Sequence, residues 1–319
     1  MITATGLART FKTKRGVVEA VKGVDISVAK GEIVGFLGPN GAGKTTTLRM
    51  LTTLLEPTAG TATVAGCDLR ADPVGVRRRI GYISQSGVTL PEARAGEEVV
   101  DRAMLYGLSK AEATGRGRKL FAQLDLEGLW ERPCKSLSGG QRRRLDIVIG
   151  LIHEPSLVFL DEPTAGLDPQ SRANLWEHIR GLNHQFGTTV LMTTHYLDEA
   201  DALSDRIMVI DHGLIVATGT PTELKRQVSG DAVRLTVTRL DRVADTVRVA
   251  ASIPGATEVA DEGTNVSFRV ADGGSELPNL LRMLDAQGIE LASVEVHRPS
   301  LDDVFLSLTG RSLRDRPAT

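Results

Sequence analysis

The sequence predicts an α/β protein with a mixed or parallel sheet and a phosphate-binding loop, followed by a small α+β domain. Short, largely apolar runs at 33–37, 157–160 and 189–193 have the length and composition of buried parallel strands. The first run leads directly into the octapeptide Gly38-Pro39-Asn40-Gly41-Ala42-Gly43-Lys44-Thr45. After residue 229 the pattern becomes strand, helix, strand, strand, helix, strand, and this order predicts a ferredoxin-like sandwich.

The length of the chain and its turn-forming residues predict a division into two domains and a tail. A chain of 319 residues can form one large and one smaller domain. We expect the first over 1–228, the second over 229–310, and a disordered tail at 311–319. The helices and strands of the second domain are predicted at 232–238, 241–253, 257–260, 265–270, 276–287 and 290–297, with a last helix at 301–308.

Composition narrows the function classes. The formal net charge of -2 gives no reason to expect nucleic acid as a partner. The only cysteines, Cys67 and Cys134, lack metal-ligand spacing and indicate neither a disulfide framework nor a zinc site. The longest apolar stretch, 147–152, is far shorter than the roughly 20 residues that span a bilayer. We therefore expect no direct membrane insertion, so any membrane association depends on a partner.

The glycine loop is suited to binding a nucleoside triphosphate. It stands between a predicted strand and a predicted helix at 44–55. Its glycines allow backbone N–H groups to face the phosphates, and the helix adds its positive N-terminal end. Lys44 supplies a charge for the β and γ phosphates, Thr45 a hydroxyl for Mg²⁺, and Thr46 a further donor. An incidental glycine turn is the alternative, but it does not explain the complete pattern.

Two acids and a histidine follow the next two strands. Asp161 ends an apolar strand, where a carboxylate can hold the hydration shell of Mg²⁺. Glu162 is suited to polarise the attacking water, and His195 to contact the γ-phosphate or to orient Glu162. The alternatives are a strand-end charge at Glu162 and a structural histidine at 195. Because open α/β sheets bind ligands beyond the carboxyl ends of their strands, we favour the catalytic interpretation.

A second glycine-rich element, Leu137-Ser138-Gly139-Gly140-Gln141, opens a helix predicted at 141–152. Ser138 and the amides of Gly139 and Gly140 form an anion site suited to a γ-phosphate. A helix cap would explain the serine but not the whole pentapeptide. Because this element has no obvious partner within its own chain, we predict a nucleotide-bridged pair of subunits, a homodimer. The arginine runs at 77–79 and 142–144 are interpreted as helix faces with ordinary ion pairs.

Taken in order and spacing, these motifs resemble the ATP-binding subunit of an ABC transporter over about the first 225 residues. The resemblance implies a Walker A loop at 38–46, a Walker B strand at 157–161, and a helical subdomain at about 86–155. It implies that Glu162 is the catalytic base, that His195 is the switch histidine, and that residues 137–141 are the family signature. ATP and Mg²⁺ are the implied cofactors.

The same resemblance gives roles to three further residues. Gln85 matches the Q-loop glutamine, which reaches Mg²⁺ and the membrane partner, so the metal-binding set becomes Thr45, Gln85 and Asp161. Asp168 lies in the D-loop, which crosses the dimer interface. The family stacks a tyrosine on adenine, and the best candidate here is Phe11, which could equally be a core strand residue.

The segment 298–310 is similar to the drug-exporter subunits of the daunorubicin-resistance type. This implies an ATPase at the cytoplasmic face of the membrane that works with a separate integral-membrane permease and exports drugs, antibiotics or lipids. An ABC importer ATPase remains an alternative, because import and export share every catalytic motif. A soluble ABC ATPase acting on ribosomes or DNA is disfavoured, because the chain has neither a second cassette nor an inserted coiled coil.

Overall fold

The computed structural model describes residues 1–14, 16–228 and 230–310. The chain divides into two compact units, Met1–Pro221 and Thr222–Thr319. We predicted the boundary at 228, after the short helix Pro221–Gln227, whereas the structure divides the chain at the start of this helix. The helix belongs with the second unit, where Thr222 and Arg226 line a cavity together with Asp231 and Arg298. The tail predicted to be disordered, 311–319, lies outside the described residues.

Two sheets form the framework of the first unit. Its strands, in chain order, are β1 Ile2–Thr13, β2 Gly16–Val28, β3 Ile33–Leu37, β4 Ala59–Val64, β5 Cys67–Asp68, β6 Ile80–Ile83, β7 Leu157–Asp161, β8 Thr189–Thr194, β9 Arg206–Asp211 and β10 Leu214–Gly219. One sheet has the order β10-β9-β3-β8-β7-β6 and is parallel except for the β9–β10 hairpin. The other has the order β2-β1-β4-β5 and is antiparallel. This arrangement confirms the predicted α/β class with a mixed sheet.

Helices surround these sheets. They are α1 Lys44–Leu51, α2 Pro73–Arg79, α3 Ala95–Leu105, α4 Lys110–Gln123, α5 Gly139–Leu151, α6 Pro169–Phe186 and α7 Leu197–Leu203, with a 3-10 turn at Cys134–Ser136. The next helix, α8 Pro221–Gln227, begins at the last residue of the first unit and otherwise belongs to the second. Helices α3, α4 and α5 follow one another between β6 and β7, within the range predicted for the helical subdomain. Helix α5 begins two residues earlier than predicted because Ser138 caps it.

The helix predicted at 44–55 is too long. Helix α1 ends at Leu51, and Thr53 adopts a left-handed conformation with φ 62°. The hydroxyl of Thr52 donates to the carbonyl of Leu48 at 2.9 Å, which helps to close the last turn. Leucines at 54 and 55 continued the helical spacing in the sequence, but the reversal at Thr53 directs the chain away, and Leu54 is exposed.

Strand β7 carries the two acids and is fixed from both sides. Leu157 and Phe159 pack into the hydrophobic cluster that includes β1, β2 and α1. Val158 and Leu160 point to the opposite face and pack into the cluster that includes α3, α4 and α5. Alternation of side chains along a strand explains this division, and all four are buried. The strand end at Asp161 is therefore held rigidly between two cores.

The second unit is the predicted α+β sandwich. Its elements are β11 Asp231–Val237, α9 Val243–Ser252, β12 Thr257–Glu262, β13 Asn265–Val270, α10 Gly273–Ala286, β14 Leu291–His297 and α11 Leu301–Thr309. The sheet order is β12-β13-β11-β14, and every neighbouring pair is antiparallel. This is the strand order of a ferredoxin-like sandwich, and it confirms the fold predicted for the second domain.

Candidate functional site

A cavity of about 390 Å³ lies beyond the carboxyl ends of β3, β7 and β8. It gathers side chains from segments that are far apart in sequence. Its lining consists of Ala20, Asn40, Gly41, Gly43, Lys44, Thr45, Thr46, Gln85, Glu162, Ala165 and His195. The structure therefore brings together the glycine loop and the residues predicted to be the Q-loop glutamine, the catalytic base and the switch histidine, at the sheet edge where α/β proteins bind ligands.

The glycine loop has its shape because side chains are excluded from it. Gly43 has φ 106°, and a Cβ there would lie 2.5 Å from the carbonyl oxygen of Ala20. A Cβ on Gly38 would lie 2.1 Å from the carbonyl oxygen of Ile210. Gly41 has φ 81°, a conformation that favours glycine. The loop thus wraps tightly in front of α1, whose N-terminal end is favourable for phosphate.

Lys44 is held inside this loop. Its Nζ donates to the carbonyl oxygens of Gly38 at 2.7 Å and of Pro39 at 3.0 Å, and it lies 3.6 Å from Oε1 of Glu162. Burial lowers the pKa of Lys44, and the Glu162 carboxylate opposes that effect. Solvent screens a buried ammonium only weakly, so the charge attracts an anion strongly and a phosphate group fits this position.

Two of the three residues predicted to bind the metal, Thr45 and Asp161, are in direct contact, whereas Gln85 contacts Glu162. Thr45 Oγ1 donates to Asp161 Oδ1 at 2.9 Å, and Thr193 Oγ1 donates to the same oxygen at 2.7 Å. Hydroxyl and carboxylate oxygens are the hard ligands that Mg²⁺ prefers, so the donor set fits this ion. Thr193 was not among the site residues predicted from the sequence, although a threonine near the end of a buried strand could have been recognised as a partner for Asp161.

Glu162 occupies a strained and well-contacted position. Its φ of 45° is unusual for a residue with a side chain, and its backbone N–H donates to Thr193 Oγ1 at 2.9 Å. Gln85 Nε2 donates to Glu162 Oε2 at 3.1 Å, and His195 Nδ1 lies 3.3 Å from Oε1. The neighbouring imidazole lowers the pKa of Glu162 most, and the Lys44 ammonium lowers it further against the opposing effect of burial. The carboxylate is therefore available as a proton acceptor near neutral pH.

The signature pentapeptide begins α5 and lies apart from this cavity. Ser138 Oγ accepts from the N–H of Gln141 at 3.2 Å, and Gln141 Oε1 accepts from the N–H of Ser138 at 3.0 Å. This reciprocal cap leaves the backbone N–H groups of Gly139 and Gly140 in the first turn of the helix. Of the described residues that line the cavity, none belongs to the signature. The anion-binding role of the signature remains a prediction.

Asp168 and Phe11 also lie outside the cavity lining, as do the predicted residues Gly38, Pro39, Ala42 and Asp161. Asp168 caps α6, where its carboxylate accepts from the N–H of Ser171 at 2.9 Å and from its hydroxyl at 2.6 Å. Phe11 lies on β1, with the Arg9 guanidinium 4.7 Å from the ring centroid. Contact with adenine at Phe11 and an interface role at Asp168 both remain predictions.

The arginine run at 142–144 is not a uniform ion-pairing surface. Arg143 is buried with 7% exposure, and its guanidinium donates to main-chain carbonyl oxygens rather than to surface acids. Its nearest carboxylate, Asp146, is buried too and is 3.9 Å away. The expectation of ordinary surface ion pairs is therefore wrong for Arg143, because this side of α5 packs against the site instead of facing solvent.

The fold and the site together define an ABC-type P-loop ATPase. Residues 21–165 match the family model for ABC transporters, and residues 219–309 match the C-terminal domain model of DrrA1-3-like ATP-binding proteins. The chain belongs to the ABC-transporter ATP-binding proteins of the daunorubicin-resistance type. This finding confirms the resemblance drawn from the motifs.

Relatives extend over the whole chain. The daunorubicin/doxorubicin resistance ATP-binding protein DrrA of Streptomyces peucetius is 42% identical over 316 residues, covering 99% of this chain and 94% of that protein. The linearmycin resistance ATP-binding protein LnrL of Bacillus subtilis is 36% identical over 310 residues, covering 97% and 99%. These relatives are resistance proteins, which favours the export interpretation over import.

Solved structures of ATP-binding cassettes are similar to a large part of the chain. An ATP-binding cassette solved as a dimer in a post-hydrolysis state, bound to ADP and phosphate, has a TM-score of 0.64 and 26% identity. The match covers 69% of this chain and 98% of that one. Within residues 1–14, 16–228 and 230–310, no helix is long and apolar enough to cross a membrane.

Proposed function

We propose that this chain binds Mg-ATP, forms a homodimer around two ATP molecules at the cytoplasmic face of the membrane, and powers export through a separate integral-membrane permease. The observation that carries the proposal is the convergence of Lys44, the Thr45–Asp161 pair and the Glu162–Gln85–His195 group on one cavity. A drug, an antibiotic or a lipid is the proposed cargo, in keeping with the resistance names of the relatives.

The residues divide the work of hydrolysis. Thr45 and Asp161, with Gln85 nearby, would hold Mg²⁺, which neutralises phosphate charge when bound. Lys44 would exchange its contacts with the loop carbonyls for the β and γ phosphates. Glu162 would accept the proton of the attacking water, while Gln85 and His195 hold its two carboxylate oxygens in place.

The signature of a partner subunit would close the site. The N–H groups at the start of α5 and the positive helix end favour an anion, and the signature is absent from the cavity lining of its own chain. A γ-phosphate shared between the loop of one protomer and the signature of the other would hold the pair together. Its hydrolysis would weaken that contact and let the protomers separate.

An exposed apolar patch supports a permease contact near the Q-loop. We call Met104, Leu105 and Tyr106, which are consecutive at the end of α3, the apolar patch; their exposed fractions are 50%, 80% and 46%. The patch lies close to the segment after Gln85, since Arg102 Nη2 donates to the carbonyl of Val88 at 3.1 Å. Large exposed apolar side chains of this kind are typical of a protein contact surface.

Leu105→Asp is expected to reduce capture of a permease that is co-expressed from the same gene neighbourhood by about tenfold, because it places a charge in the apolar contact. The ATPase rate of the isolated subunit should stay within about twofold of wild type, since Leu105 does not line the cavity. Affinity purification and phosphate release measure the two quantities. The control is Leu240→Asp, which alters another exposed leucine, in the second unit. Equal permease capture by both variants would exclude the apolar patch as the permease contact.

The transport step has its own test. Cells that co-express the chain and its permease should export fluorescent daunorubicin faster than cells with the permease alone, and Glu162→Gln should abolish the gain. Wild-type ATPase activity without export of any anthracycline, macrolide or fluorescent lipid would leave the chain an ATPase but contradict the proposed cargo classes.

A further inference from the structure

Helix α5 connects the signature with both walls of the catalytic cavity of its own protomer. The signature occupies its first turn, and Arg143 and Asp146 follow within the next two turns. At 1.5 Å per residue, the step from Ser138 to Arg143 is about 7 Å along the axis. A rigid helix of this length carries any displacement of the signature to Arg143.

Arg143 holds the main chain on both sides of the site. On one side, Nη1 donates to the carbonyl of Ser84, the residue before Gln85, at 2.6 Å. On the other side, Nε donates to the carbonyl of Pro163 at 2.8 Å, and Nη2 donates to that of Asp161 at 3.0 Å. The same Nη2 lies 3.4 Å from the carbonyl of Glu162. One guanidinium therefore fixes the Q-loop and the backbone of the proposed base relative to each other.

Asp146 completes the connection one turn further along α5. It is buried with 3% exposure, and its Oδ1 accepts from the N–H of Val88 at 3.1 Å. The Asp146 carboxylate also lies against Gly87, where a Cβ would be only 2.8 Å from Oδ2. Thus α5 holds the Q-loop segment before Gln85 through Arg143 and the segment after it through Asp146.

We propose that Arg143 is a positioning residue that couples the two nucleotide sites of the dimer. When the signature on α5 engages the triphosphate of the partner, Arg143 aligns Glu162 and Gln85 of its own protomer for hydrolysis. This inference rests on the proposed function, because it requires a signature that binds the nucleotide of the partner. None of the motifs identified in the sequence gives a function to this buried arginine.

The test compares Arg143→Met and Arg143→Lys in the full-length chain. Arg143→Met should lower kcat for ATP by about 10- to 100-fold, because misplacement of a reacting group by about 1 Å can cost about 100-fold. The Kd for a fluorescent ATP analogue should change by less than about twofold, since no phosphate contact is removed. Arg143→Lys should lose less activity, because an ammonium retains donors for some of the carbonyls but not the planar fork.

Cooperativity is the readout that a purely structural arginine would not change. The wild-type protein should show a Hill coefficient for ATP above 1, and the Arg143→Met protein should approach 1. Arg180→Met is the matched control, since Arg180 is an exposed arginine on α6. Its kcat and Hill coefficient should match the wild-type values.

Folding is separated from positioning by normalising kcat to sites that bind nucleotide. If Arg143→Met does not fold, Arg143→Lys and Asp146→Asn carry the test, and each is expected to give a smaller loss of kcat in the same direction. Wild-type kcat per binding site, or an unchanged Hill coefficient, in folded variants would overturn the proposal. A wild-type protein that hydrolyses no ATP would instead contradict the proposed function itself.

Discussion

Replacement of Glu162 by glutamine is expected to lower kcat for ATP by about 10²- to 10⁴-fold, the range that general base catalysis usually contributes. The amide retains the shape of the carboxylate but cannot accept the proton of the attacking water. ATP binding should persist, because Lys44 and the glycine loop remain. Phosphate release at saturating Mg-ATP measures the rate, and equilibrium dialysis measures the binding.

The same variant should accumulate as a dimer, because the bridging nucleotide persists when water is not activated. Size-exclusion chromatography with and without Mg-ATP measures this, and wild-type protein should remain largely monomeric after turnover. Glu131→Gln makes the same chemical change at an exposed position and is the control. An unchanged hydrolysis rate would contradict the base assignment. A monomer in excess ATP would contradict the nucleotide-bridged dimer.

Lys44→Ala is expected to cut ATP turnover by about 10²- to 10³-fold, because a preorganised charge in a dry site contributes strongly to phosphoryl transfer. It should also weaken ATP binding, unlike the change at Glu162. A time course of phosphate release measures turnover, and titration with a fluorescent ATP analogue measures binding. Wild-type turnover in this variant would refute the role given to Lys44.

The fold should tolerate the loss of Lys44. Burial lowers the pKa of the ammonium, so removing it removes a group that is costly to desolvate, while the Glu162 carboxylate keeps Gln85 and His195 as partners. The thermal midpoint without nucleotide is therefore expected to stay within a few degrees of wild type. Lys119→Ala, at an exposed position on α4, is the control and should leave both turnover and binding unchanged. A large fall in the thermal midpoint of Lys44→Ala would attribute its lost activity to misfolding.

Much of the candidate site could be predicted from the sequence, because its residues either are contiguous in the chain or lie at the ends of strands. The octapeptide forms one loop, and Asp161 and His195 follow strands that share a parallel sheet. The carboxyl ends of such strands meet at one edge, so chemistry at the ends of separate segments converges. The predicted fold of the second domain was correct for a similar reason, since its pattern alternates regularly between strands and helices.

The antiparallel sheet was not predicted because its strands lack a clean alternation of apolar and polar residues. The pairing of β1 with β2 shifts register between Ala4 and Leu7 and again between Arg9 and Thr10. Each bulge exchanges the face on which later side chains lie, so a period of two is lost. Most residues at the start of β2 are exposed as well, which removes the hydrophobic signal.

The burial of Arg143 could not be predicted for a different reason. Three consecutive arginines are indistinguishable in the sequence, and only the rotation of α5 against its neighbours decides which one turns inward. In the structure Arg142 is exposed while Arg143 is buried. Its partners are carbonyl oxygens, which every residue has, so no sequence pattern marks them. Long-range contacts of this kind become visible only in three dimensions.

The central claim, a nucleotide shared between a loop and the signature of the partner, is tested most directly by mixing two inactive proteins. One carries Lys44→Ala. The other carries Gly139→Asp, which places a negative charge at the signature; the new Cβ would meet only Leu167 Cδ2, at 3.7 Å, so its own fold should be preserved. A mixed dimer would contain one site with both defects and one intact site.

If the nucleotide is shared between protomers, the mixture should hydrolyse ATP several-fold faster than the sum of the two proteins measured separately. The gain should be greatest near equal proportions, where mixed dimers are most abundant. If each chain instead encloses its nucleotide alone, every chain carries a defect, and mixing restores nothing. A rate equal to that sum at all mixing ratios would contradict the account.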